Sequence, residues 1–179
     1  TGGIPSMLHA SAANGITNTQ LSKASRIIRS MMSRSNNPTC QTSHLLTARN
    51  KIHPSFWAHT EPILAWARSV YNNRFSLRSL NRLVIRAKNR RCQEPNHAWS
   101  RVRGPADAFV ATASRIGWTI LDAANALTAR RQPVDFRRIS GPQLRKLVHS
   151  EVENELWKAL ADRRSAQDRH KGWTDIRDG

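Results

Sequence analysis

Apolar residues recur at three- and four-residue steps through most of this chain, the spacing of amphipathic helices. From Asn18, which can cap, to about Arg34, Leu21, Ala24, Ile28 and Met31 share one face while Lys23, Arg26, Arg29 and Arg34 cover others. Ser35-Asn36-Asn37-Pro38 ends this helix, a short helical piece is expected over 42–49, and 50–60 reads as a loop carrying His53, Pro54, Phe56 and Trp57. The next helix opens at Thr60 with Pro62 in its first turn and a stripe of Ile63, Trp66, Ala67 and Val70. After a break at Tyr71-Asn72-Asn73, Ser76 caps a helix to about Arg90 whose Leu77, Leu80, Val84 and Ala87 face a core.

The pattern lapses between Gln93 and Gly104 and resumes differently. Gly104-Pro105 starts a helix with Phe109, Thr112, Ala113 and Ile116 inward, and Gly117 is its left-handed stop. Trp118 to Leu121 has strand character, and Val134 to Ile139 alternates apolar and polar residues as a second strand of a hairpin would. Ser140, Pro142 and Gln143 then mark a capped helix start, with Leu144, Val148, Val152, Leu156 and Ala159 descending one face. The expected fold is mainly α: a small helical bundle followed by a helix–β-hairpin–helix unit. Its divisions are an irregular tail over 1–15, a basic helical lobe over 16–97, a second lobe over 98–164 and a frayed polar tail over 165–179. Of the six tryptophans, Trp66, Trp118 and Trp157 fall on element faces and read as core, whereas Trp57, Trp99 and Trp173 fall in loops.

Charge changes the picture from a generic helical protein to one aimed at polyanions. In 179 residues 29 Lys and Arg face 12 Asp and Glu, a formal charge of +17. Arg supplies 23 of the 29, and guanidinium grips phosphate in a fork and stacks on bases, which ammonium does not. The excess is lopsided: Thr1 to Ala106 holds 16 cations against Glu61 and Glu94 alone, so +14 of the charge lies there. Arg74, Arg78, Arg82, Arg86 and Arg90 recur every four residues. Four residues advance a helix by about 400°, so this row drifts by about 40° per step and wraps obliquely as a groove-following strip would. With Lys23, Arg26, Arg29, Arg101, Arg103 and the indole of Trp99 it makes the candidate nucleic-acid-binding set. Five neutralised phosphates imply a salt slope of roughly −4 to −5 on a logarithmic plot.

Catalytic chemistry is not expected. Two-metal phosphoryl transfer needs converging carboxylates, whereas Asp107, Asp122 and Asp135 are scattered over a cap, a loop and a strand. There is no phosphate-cradling Gly-rich loop, dinucleotide fingerprint or nucleophile elbow, and the seven His residues carry no acid–base spacing. Cys40 with His44 and Cys92 with His97 could together offer two thiolates and two imidazoles, with His53 and His59 as spare ligands. Strong zinc signatures pair cysteines two to four apart, and each pair here supplies one, so neither metal nor cofactor is expected. Two cysteines 52 residues apart also argue against a disulfide framework and for a reducing compartment. No apolar run reaches transmembrane length.

Three segments carry a resemblance: EPILAWARSVY (Glu61 to Tyr71), AWSRVRGPADAFVATASRIGWTI (Ala98 to Ile120) and GPQLRKLVHSEVENELWKALADRR (Gly141 to Arg164). They resemble polyproteins of non-LTR retrotransposons, of the sort abundant in dinoflagellate genomes, in the region downstream of the polymerase, over about Gly15 to the C-terminus. The resemblance implies a thumb or connector that holds template and primer. The family's catalytic aspartates lie upstream, and no Tyr-x-Asp-Asp box occurs here. Trp173-Thr174-Asp175 is similar to the strand that opens a ribonuclease H domain, whose other acids would lie beyond Gly179.

The expectation is a non-catalytic module that binds RNA or RNA–DNA duplex through phosphates, located inside the cell, in the nucleus or alternatively in an organelle. The competing expectation is a basic structural subunit docked on acidic protein surfaces of a larger ribonucleoprotein or membrane-associated organellar complex.

Overall fold

The computed structural model describes residues 11–32, 53–73, 75–93 and 102–170, with the backbone alone at Ser11, Arg29, Met32, Cys92, Gln93 and 163–170. Within them the chain is mainly helical. Helix α1 (Ser11–Asn14) and α2 (Asn18–Met32) precede α3 (Pro54–Tyr71) and α4 (Leu77–Gln93). Then come α5 (Pro105–Arg115), strands β1 (Thr119–Ile120), β2 (Asn125–Leu127) and β3 (Pro133–Asp135), and α6 (Gly141–His170).

The local signals explain most boundaries. Thr17, not Asn18, caps α2: the Gln20 amide donates to its hydroxyl at 3.1 Å while the Gln20 side chain accepts from the Thr17 amide at 3.0 Å, a reciprocal capping box. Ser76 caps α4 by accepting from the Ser79 amide at 3.2 Å, and Ser140 with Gln143 repeats the reciprocal box at α6. Gly117 stops α5 at φ +73°, as its lack of a Cβ allows.

Several expectations are corrected. The loop expected over 50–60 is helical from Pro54 onward, because the His53 ring accepts from the Ser55 amide at 3.2 Å and Pro54 occupies the first turn. Pro62 therefore lies inside α3, where buried Phe56, Ala58, Ile63 and Trp66 around it offset the lost backbone bond. Trp57 belongs to this helix and is half exposed. The hairpin is a three-stranded antiparallel sheet in the order β1-β2-β3, with Ile120 opposite Ala126 and Ala126 opposite Val134, so one buried row faces the core. Leu77, at the first position of α4, is exposed rather than core, as are Trp157 and Ala159, since α6 leaves the core beyond Val152 and Leu156. Helix α6 also continues past 164 to His170. The short helix expected over 42–49 and the tails over 1–10 and 171–179, with Trp173, lie outside the described residues.

α3 is the hub, packing against α1, α2, α5 and α6, and α5 packs in turn on α4. Trp66 of α3 stacks on Phe109 of α5 at 5.1 Å, Phe109 meets Phe136 edge-on at 5.6 Å, and the Trp66 indole donates to the Ala123 carbonyl at 2.9 Å. One continuous core runs from Phe56 to Val152, drawing on both sides of the boundary expected between 97 and 98. Ile16 and Ala58 form a satellite cluster with Leu21 under the N-terminal helices.

Candidate nucleic-acid interface

The sequence of α4, LRSLNRLVIRAKNRRCQ, contains no acid, and its apolar residues at 80, 84 and 87 turn inward against α5. Four polar contacts fix its rotation. The Asn81 side-chain Oδ1 accepts from the Ala123 amide at 2.6 Å, Lys88 donates to the Ile120 backbone carbonyl at 2.6 Å, and Arg91 donates to the Ala111 backbone carbonyl at 3.3 Å. Arg90 makes the fourth, closing on Asp107 through Nε at 3.0 Å and Nη2 at 2.6 Å.

With the helix so held, Arg78, Arg82 and Arg86 stand exposed on its outer side. The oblique drift that makes this row a strip also ends it: by the last step the row has rotated about 120° from Arg78, which brings Arg90 against the first turn of α5. Arg90 is therefore an internal tie, and the exposed row has three guanidiniums. Arg74 lies outside the described residues, as do Trp99, Arg101 and the side chain of Arg29. Lys23 and Arg26 are exposed on α2, which packs on α3 rather than beside the row. Arg103 is exposed, and its backbone amide donates to Asp107 Oδ2 at 3.1 Å.

Beside the row lies a cleft that sequence reasoning missed. Its volume is about 500 Å³ and its walls are Trp66, Phe75, Leu80, Leu83 and Pro105, with Ser79, Arg90, Arg103 and Asp107 at its edge. Phe75 is 60% exposed and Leu83 43%. The signal was present: Leu83 lies off the stripe of Leu80, Val84 and Ala87, and Phe75 precedes the helix cap. A second, larger groove of about 840 Å³ separates α3 from α6 and carries Arg68, Arg145, Lys146 and His149. Arg145 is already engaged there, 3.5 Å from Glu61 and 5.7 Å from the centre of the Trp57 ring.

The other titratable groups have structural duties. Asp122 accepts from the Ala124 and Asn125 amides at 2.7 and 2.8 Å, and Asp135 binds the Arg137 guanidinium at 3.0 Å, which holds its carboxyl below the usual range. His53 and His59 are buried, and burial lowers them to about 4 and about 3; the adjacent Arg115 also depresses His59. Both imidazoles are neutral near pH 7, and the His59 Nδ1–H donates to the Ser55 carbonyl at 2.6 Å. Burial and neighbouring Arg91 bring Arg115 down to about 10, still cationic at neutral pH, where it donates to the Ile16 carbonyl at 3.0 Å and the Asn18 side chain at 2.7 Å.

Comparison with protein-family models, curated proteins and solved structures finds no match for this chain. Among the described residues no three His, Cys, Asp or Glu side chains gather as a metal site, and no helix is long and apolar enough to cross a membrane. Cys40, His44, His97 and the side chain of Cys92 lie outside those residues.

Proposed function

We propose that this chain binds nucleic acid through its phosphates, without catalysing a reaction on it, and that the outer face of α4 is the principal contact. The observation that carries this reading is the exposed row Arg78, Arg82 and Arg86 on an acid-free helix whose orientation four tertiary contacts hold. A helix held in place fixes the spacing of the row, so only the arginine side chains themselves have to be ordered when they meet phosphates. The three carboxylates Asp107, Asp122 and Asp135 are each engaged with their own surroundings, which favours binding over metal-assisted chemistry. The resemblance to the region downstream of a retrotransposon polymerase adds a role, that of a thumb or connector gripping RNA or an RNA–DNA duplex.

The test is a salt titration of binding to a labelled oligonucleotide by fluorescence anisotropy. Three phosphate contacts give a slope of about −2 to −3 on logarithmic axes, shallower than five would, and removing one of the three arginines reduces it by about 1 while weakening all sequences alike. Affinity that stays flat between about 50 and 200 mM salt excludes the reading. Ile85, 56% exposed among these arginines, favours a second reading in which the same face docks on an acidic protein surface of a larger complex.

A further inference from the structure

The cleft between α4 and the first turn of α5 has features that a simple phosphate-binding ridge does not need. Its walls are apolar and include a largely exposed aromatic ring, Phe75, at the corner between α3 and α4. The surrounding charge is one-sided. Arg90 and Arg103 line the edge, and Arg82 reaches it by donating to the Ser79 hydroxyl at 3.4 Å. Arg86 stands one turn along α4 from Leu83 and so borders the same side. The single acid lining it among the described residues, Asp107, has both oxygens engaged, Oδ1 by Arg90 and Oδ2 by the Arg103 amide. Among the described residues, an anionic chain approaching the cleft therefore meets cations and satisfied acceptors but no free carboxylate.

We infer that this cleft takes the unpaired bases of a single-stranded nucleic acid, stacking one on Phe75 against Leu83, while Arg82 and Arg86 hold the phosphates on either side. The inference rests on the phosphate-binding reading above and narrows it from nucleic acid in general to single strands. Charge complementarity favours this occupant: the apolar walls ask for a flat hydrophobic face, the rim asks for negative charge, and a nucleotide carries both within one repeat. A volume of about 500 Å³ accommodates one or two bases. In a duplex the bases are stacked and paired, so a duplex can lie on Arg78, Arg82 and Arg86 but cannot enter the cleft.

The test uses the full chain with labelled oligouridine, a duplex of the same length, and poly-L-glutamate as the acidic polypeptide probe, all at matched salt. Phe75 is largely exposed, so Phe75→Ala is expected to leave the far-ultraviolet circular dichroism spectrum and melting point unchanged. The inference predicts tighter binding of oligouridine than of duplex, a loss of about tenfold with Phe75→Ala and recovery with Phe75→Trp. Because stacking involves no counterions, the salt slope should be the same in the Phe75 variants and shallower in Arg82→Ala. Equal affinity for single strand and duplex, both insensitive to Phe75→Ala yet dependent on Arg82, would overturn the base-cleft inference and leave the phosphate reading standing. No binding of either nucleic acid would overturn both. Phe75-dependent binding of poly-L-glutamate without binding of oligouridine would overturn both in favour of an acidic protein partner.

Discussion

Arg86 and Arg90 are one helical step apart in the same row, yet one belongs to the surface and the other to the fold. Arg90 holds Asp107, which sits in the first turn of α5, where a carboxylate also answers the unpaired amides at the helix start. Asp107 is buried and Arg90 is 36% exposed, so the pair contributes on the order of 1–2 kcal/mol rather than the larger figure of a fully buried one. Arg90→Ala is expected to lower the melting temperature by roughly 2–8 °C, whereas Arg86→Ala should change stability by less than about 0.5 kcal/mol and act on nucleic-acid affinity instead. Thermal unfolding and salt-dependent binding on the same two variants check both halves. The drift along the row was legible in the spacing of the arginines. That Arg90, the next member of the row after Arg86, would meet a carboxylate was not, because Asp107 is 17 residues away and its position depends on how α5 packs.

At the scale of elements, the helix starts at Ser76, Gly104-Pro105 and Ser140 were legible and the short strands were the least so. Reciprocal capping at Ser140 with Gln143 is a three-residue signal that tertiary packing does not have to decide, whereas at α2 the box falls on Thr17 with Gln20, one residue before the expected Asn18 cap. Strand β2 is Asn-Ala-Leu, which carries little strand propensity, and it exists because Ala126 lies between Ile120 and Val134 across the register. Pro62 reads as a first-turn proline and so shortens the helix its sequence predicts; α3 continues through it with most of its length buried. The turn from α5 into β1 offers a direct test. Gly117 is at φ +73°, and a Cβ there would come 3.2 Å from the Ala129 Cβ, so Gly117→Ala should cost about 1–2 kcal/mol in denaturant unfolding, with the transition slope unchanged.

For the whole molecule, the buried histidines under the N-terminal helices set a pH dependence. Both His53 and His59 have folded values, about 4 and about 3, below the ordinary 6.5. Between those values the unfolded chain binds protons that the fold rejects, so their stability is complete above pH 6.5 and falls as pH drops toward 4, by roughly 1.4 kcal/mol per pH unit for each histidine. Glu151, raised by burial, works in the opposite sense, contributing stability below pH 4.5 that is lost as pH rises through its raised value; one such group against two softens the fall without reversing it. His53→Asn keeps an acceptor for the Ser55 amide and removes one titration, so its melting temperature should match the parent near pH 7.5 and fall less steeply between pH 6.5 and 4. The sequence by itself determined the helical character, the capped starts, the cationic bias and the row of arginines, because each follows from residue spacing within a turn or two of helix. Only the tertiary structure decided which guanidiniums remain exposed, that one core unites both halves, and that Phe75 and Leu83 border a cleft beside the row. Those outcomes depend on where α5 and the sheet lie against α4, and contacts between residues distant along the chain leave no fixed period in the sequence.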